Sequence, residues 1–272
     1  HYDLSDKLYE LFLDPDRQYS CAYFNSPNDT LEQAQINKKE LISKKLLLEE
    51  GQSVLDIGCG WGGMAAHIYK KSNASVVGVT LSEEQYAYAN QRKINEKLDK
   101  VEYRLQDYRN VNETYDRIVS VGMFEHVGTS HYQEFFNKVN DLLNDTGVAL
   151  IHTIGRLTEP TNNDPWIEKY IFPGGYIPAL SETMSRVEKS GLSLTDVQVL
   201  RFHYAETLKR WRYNFYDNID KVKELYDEKF CRMWDFYLSS SQASFEEAGL
   251  VVFQLQLSKN KKTVPDKRDY LL

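Results

Sequence analysis

Between residues 53 and 153, short apolar runs rich in β-branched residues alternate with longer amphipathic segments. The runs at 53–57, 75–79, 101–105, 117–121 and 148–153 have the length and composition of buried parallel strands. Between them, 64–71, 83–97 and 132–143 carry apolar positions at helical spacing, and Gly51 and the 144–147 stretch punctuate the units as turns. This alternation predicts a doubly wound, mostly parallel sheet with helices on both faces.

Beyond residue 155 the pattern changes. Pro160, Asn162, Asn163, Asp164 and Pro165, then Pro173, Gly174, Gly175 and Pro178, interrupt the 156–190 stretch, which reads as a helical lid insertion. A strand is expected over 194–202. Trp211, Phe215, Tyr226, Phe230, Trp234 and Phe245 recur at helical spacing across 205–248, with a break near Asn218. Gly249 closes that helix, and 251–257 alternates as a final strand. The expected whole is one α/β, Rossmann-like catalytic domain with a seven-stranded sheet. In it, 1–50 form a helical cover, 51–155 the cofactor core, 156–190 the lid, and 191–272 the rest of the core.

Composition narrows the partners more than the fold. A formal charge of −7 over 272 residues argues against nucleic acid, whose phosphates call for clustered Lys and Arg. Cys21, Cys59 and Cys231 have neither a disulfide-framework nor a metal-ligand spacing, so reduced thiols, a cytoplasmic setting and no metal are expected. No apolar run reaches the roughly 18 residues of a membrane span, and no signal peptide leads the sequence. The chain begins at His1 without an initiator Met, so residues missing upstream are part of the expectation.

The sharpest local signal is Val54-Leu55-Asp56-Ile57-Gly58-Cys59-Gly60-Trp61-Gly62-Gly63. A strand runs to Asp56, and a glycine loop follows whose backbone can turn tightly and approach a ligand without Cβ interference. The compressed glycine spacing resembles motif I of class I methyltransferases, which implies S-adenosylmethionine on Asp56, Gly58, Gly60 and Gly62. Thr80 and Leu81 end the second strand, where open α/β sheets contact ligands. Thr80 stands where many such enzymes place an acid, and Gln85, one helical turn on, can share that polar contact. After the third strand, Gln106, Asp107 and Tyr108 are read as adenine contacts, Asp107 accepting from the amino group and Tyr108 packing on the ring.

Three further blocks go together: His1-Tyr2-Asp3-Leu4-Ser5-Asp6 with the 11–24 stretch, Gly122-Met123-Phe124-Glu125-His126-Val127-Gly128, and His152-Thr153-Ile154-Gly155 leading into Asp164-Pro165-Trp166-Ile167. With these, the sequence resembles the cyclopropane fatty-acyl-phospholipid synthase family, including the mycolic acid cyclopropane synthases, over essentially its whole length. The resemblance implies that an alkene in a lipid acyl chain attacks the sulfonium methyl, and that loss of a proton from the resulting cation closes a cyclopropane. It further implies a bicarbonate ion as base, held by Cys21, Glu125, His152, Ile154 and Tyr204, with Cys21 and Ile154 offering backbone groups. Tyr19 and Ser20 are carried over as cofactor contacts. The implied partner is an unsaturated phospholipid at the inner face of the membrane, and a homodimer is compatible. Glu125 could otherwise be a cap, and His152 and Tyr204 packing residues. His126 is read as structural.

Overall fold

The computed structural model describes residues 5–271. The His1-Tyr2-Asp3-Leu4 part of the N-terminal block lies outside them. Seven strands form one sheet: β1 (Ser53–Ile57), β2 (Ser75–Thr80), β3 (Val101–Leu105), β4 (Tyr115–Val121), β5 (Leu143–Arg156), β6 (Ser193–Leu200) and β7 (Leu250–Ser258). Their order is β3-β2-β1-β4-β5-β7-β6, and β7 alone runs antiparallel to its neighbours. The chain reverses direction across the sheet between β1 and β4, which opens a crevice at the carboxyl ends of these central strands.

The helices are α1 (Asp6–Phe12), α2 (Leu31–Lys45), α3 (Gly63–Ser72), α4 (Glu83–Asn95), α5 (Tyr132–Leu142), α6 (Pro165–Tyr170), α7 (Leu180–Val187), α8 (His203–Asp217), α9 (Ile219–Leu225) and α10 (Glu228–Glu247). Local chemistry starts several of them: Thr30, Ser82 and Asp227 each accept a backbone N–H of the first turn. Among the described residues, no helix is long and apolar enough to cross a membrane.

Two differences from the sequence reading have physical causes. The aromatic stretch breaks at Asn218 as expected, but it breaks again before Asp227. There the Asp227 carboxylate takes the Phe230 N–H at 2.7 Å and starts a new helix. Aromatic spacing runs straight through that break, so periodicity does not reveal it. The 144–147 turn lies inside β5, not before it. Leu143 already pairs with Tyr115, and the register then jumps to Val148 opposite Arg117.

The expected N-terminal cover and C-terminal segment form a single aromatic cap. Phe12 of α1 meets Trp211 of α8 and Trp234 of α10 edge-on, with centroids 5.9 and 5.7 Å apart. This cap sits over the Tyr204, Leu208 and Val252 side of the core. The crevice therefore has a helical roof built from both ends of the chain.

Candidate active site

Two cavities occupy the crevice. The first, about 490 Å³, lies over the carboxyl ends of β1, β2 and β3; the second, about 350 Å³, runs under the helical cap. Tyr19, Ser20, Gly122 and His126 line both, so the two meet at these residues.

The wall at that junction is a strap, residues 14–22, which α2 supports from below. Lys38 is buried and donates to Gln18 Oε1 at 2.6 Å and to Ser20 Oγ at 2.8 Å. The Gln35 amide donates to the carbonyls of Gln18 and Ser20 at 3.2 and 2.9 Å. Burial lowers the Lys38 ammonium to about 8. Tyr19 closes the other side, its hydroxyl 2.8 Å from that of Tyr237 on α10.

In the first cavity the glycine loop presents Gly58 and Gly60 with φ of 78° and 55°, left-handed conformations that favour glycine. A Cβ at Gly60 would meet nothing within 4 Å, because the space in front of it is open. Gly62 departs from the sequence reading and does not line the cavity. Its missing Cβ leaves room for the Tyr103 hydroxyl, 2.5 Å from where that carbon would sit, and its carbonyl accepts from that hydroxyl. Gly62 is a packing glycine at the start of α3. Asp56 is buried, one carboxyl oxygen is without a partner, and burial pushes its pKa up to about 7.

Thr80 donates to Gln85 Oε1 at 3.0 Å, which brings the two together as the sequence suggested. Leu81, Gln106, Asp107 and Tyr108 line the same cavity. Asp107 is already engaged: Arg109 binds it through its backbone N–H and guanidinium, at 2.6 Å for the shortest contact, and holds its carboxyl below the usual range. Arg109 also lines this cavity, as do Trp61 and Met123, which the motifs contain but to which no individual role was assigned. Nothing in their spacing sets them apart.

All five residues assigned to the anion site line the second cavity: Cys21, Glu125, His152, Ile154 and Tyr204. Strand register explains the gathering. Val121 at the end of β4 pairs with His152 on β5, and the turn after β4 delivers Glu125 beside Ile154. The Ile154 N–H donates to Glu125 Oε1 at 2.7 Å, while Glu125 Oε2 is buried without a partner. Burial raises the Glu125 carboxyl to about 7. The Ile154 backbone group thus acts through the Glu125 carboxylate.

His152 faces Gln254 across the β5–β7 pair, and the Gln254 amide nitrogen lies 3.2 Å from its Nδ1. With that amide donating, Nδ1 accepts and Nε2 carries the proton. His152 Nε2 is buried without a partner. Burial, helped by the positive charges of Lys38 and Lys45, holds the imidazole neutral with a pKa well below its ordinary value. Gln254 carries no distinguishing signal in the sequence, because Gln256 and Ser258 share its polar alternate positions on β7. Burial raises the Cys21 thiol and the Tyr204 hydroxyl far above their usual values, so neither ionises at neutral pH. His126, read as structural, borders both cavities. The Glu125 carbonyl also accepts the Tyr176 N–H at 2.8 Å, which ties the lid to the same turn.

A doubly wound sheet with a ligand cavity at a glycine loop after β1 defines a class I S-adenosylmethionine-dependent methyltransferase. The family model described as mycolic acid cyclopropane synthetase matches residues 1–255, and the chain belongs to that family. It is 42% identical over 259 residues to the cyclopropane-fatty-acyl-phospholipid synthase of Escherichia coli (strain K12), a match covering 95% of this chain. The chain spans 66% of that relative's length, just under two thirds. Cyclopropane mycolic acid synthase 3 of Mycobacterium tuberculosis (strain H37Rv) is 37% identical over 275 residues, covering 95% of each protein. The solved structure of mycolic acid cyclopropane synthase CmaA1 complexed with SAH and CTAB is 36% identical, with a TM-score of 0.88 over 94% of this chain and 95% of that one. The chain is an S-adenosylmethionine-dependent methyltransferase of this type, and S-adenosylmethionine is its co-substrate.

Proposed function

We propose that this chain, acting as one catalytic domain, converts cis double bonds of unsaturated phospholipid acyl chains into cyclopropanes. The meeting of the two cavities carries this reading: a glycine-loop cavity opens at Tyr19, Ser20 and Gly122 into an apolar one with buried, partnerless polar atoms in its wall. S-adenosylmethionine supplies an electrophilic methyl at that junction. An alkene is neutral and needs no base to attack it, but the cation it becomes must be kept from water. Phe172, Phe236, Tyr237 and Phe245 line the apolar cavity, exclude water and present electron-rich faces to positive charge.

The donor set suits bicarbonate. His152 Nε2–H and the Tyr204 hydroxyl would donate to it, Glu125 Oε2 would accept from its hydroxyl, and the Cys21 backbone borders the same space. Bound there, bicarbonate would supply the base for the proton lost on ring closure. Gln254 keeps His152 in the donating tautomer, and the Ile154 N–H fixes the direction of Glu125. The reading carries with it a peripheral location at the inner face of the membrane, and it leaves room for a homodimer.

Labelled S-adenosylmethionine incubated with the protein, bicarbonate and vesicles of a cis-monounsaturated phospholipid should yield methylene-added fatty-acid esters. Label found only in an unsaturated or saturated branched chain, or in an added amine, would replace this reading by simple methylation.

A further inference from the structure

Arg156, the last residue of β5, is 7% exposed and lines the apolar cavity. Its Nε–H donates to the Ile177 carbonyl at 3.1 Å, and among the described residues its side chain has no ion pair and no other hydrogen bond. A guanidinium set against apolar walls is best matched by an anionic partner. Several polar residues that line this cavity have partners of their own. Asp164 caps α6 through the Trp166 and Ile167 N–H groups, Asn163 bridges Gly175 and Ile177, and the Tyr176 hydroxyl donates to Glu182.

The placement relative to the reaction site is set by the strand. His152, Ile154 and Arg156 occupy alternate positions of β5, and all three line the cavity, as do Leu250 and Val252 paired beside them. Four residues of strand separate Arg156 from His152 by roughly 13 Å. The cavity therefore has a neutral, proton-handling end at His152 and a cationic end at Arg156.

We propose that Arg156 binds the anionic oxygen head of the lipid substrate, a carboxylate or a phosphate, and that its distance from His152 selects which double bond reaches the methyl donor. This rests on the acyl-chain reading above. A planar, two-pronged donor suits either oxyanion.

The test compares wild type, Arg156→Gln and Arg156→Lys on phosphatidylglycerol vesicles whose acyl chains carry the cis double bond at one of two positions. Arg156→Gln should raise KM by about tenfold or more, lower kcat less, and erase the preference between the two positions. Arg156→Lys, which keeps the charge but loses the fork, should fall between. S-adenosylmethionine affinity should stay constant across the three and reports an intact fold. An unchanged KM and positional preference in Arg156→Gln overturns the assignment. Should that variant not fold, the wild type decides by binding: decyl phosphate or decanoate should bind more tightly than decanol, and the tighter of the two identifies the head group. Equal binding of all three overturns the assignment. A wild type that makes no methylene product on vesicles defeats the acyl reading instead, whereas the decyl probes still judge Arg156.

Discussion

The two cavities share four residues and are built by opposite means. The cofactor cavity is made from strand ends and the loops directly after them, so its walls come from short, contiguous stretches around Gly58, Thr80 and Asp107. The acyl cavity takes one wall from β5, another from the strap at Cys21, and its roof from α8 and α10, far apart in the chain. The first is the more polar of the two and draws on the glycine-loop backbone; the second is lined by aromatic side chains. A methyl donor with many polar groups needs fixed hydrogen-bonding atoms, whereas an alkene and its cation need a dry enclosure. Each cavity nevertheless holds one buried carboxyl, Asp56 or Glu125, with its pKa near 7.

If the division of labour holds, the largest separation of effects comes from Glu125→Gln. Turnover should fall by about 10²–10⁴-fold, the range for loss of a proton-handling group, while S-adenosylmethionine affinity measured by calorimetry stays unchanged. Parallel loss of both would show that Glu125 supports the cofactor cavity as well. Gly60→Val should do the reverse. A β-branched residue at positive φ carries about 1–3 kcal/mol of strain, and its side chain enters the open cofactor space. We expect about tenfold or greater weakening of cofactor binding, with turnover largely restored at saturating cofactor. Normal affinity in this variant would remove the glycine loop from the cofactor site.

The smallest effect concerns pH. Asp56 and Glu125 have folded pKa values of about 7, raised from 3.8 and 4.5 by burial. Between those limits the folded state binds more protons than the unfolded one, so both groups favour folding most below about pH 4 and lose that contribution as pH rises towards 7. Denaturant midpoints at pH 5 and pH 8 should therefore converge in Asp56→Asn and in Glu125→Gln relative to wild type. A gap left unchanged in either variant would mean that burial does not set that carboxyl's proton affinity.

Much of the cofactor half was legible beforehand. The runs at 53–57 and 101–105 coincide with β1, which is buried almost throughout, and with β3, an edge strand that alternates buried and exposed positions. Gly62 was the exception: its glycine answers to Tyr103, a residue on another strand, and no local pattern announces that. Positions belonging to the acyl half were reached through family resemblance, and their partners were not. Gln254 behind His152 and Tyr237 against Tyr19 lie far along the chain from the residue they hold, and Lys38 beneath Ser20 comes from the next helix.

What the sequence by itself determined was the alternation of strands and helices and the glycine loop. Both are encoded within a few residues of one another or within a motif. Tertiary structure decided which backbone donor Glu125 takes, which residue faces His152 Nδ1, and where Arg156 stands along the second cavity. Those depend on strand register and on the packing of α10 over the sheet. Contacts between residues a hundred or more positions apart leave no trace in local periodicity.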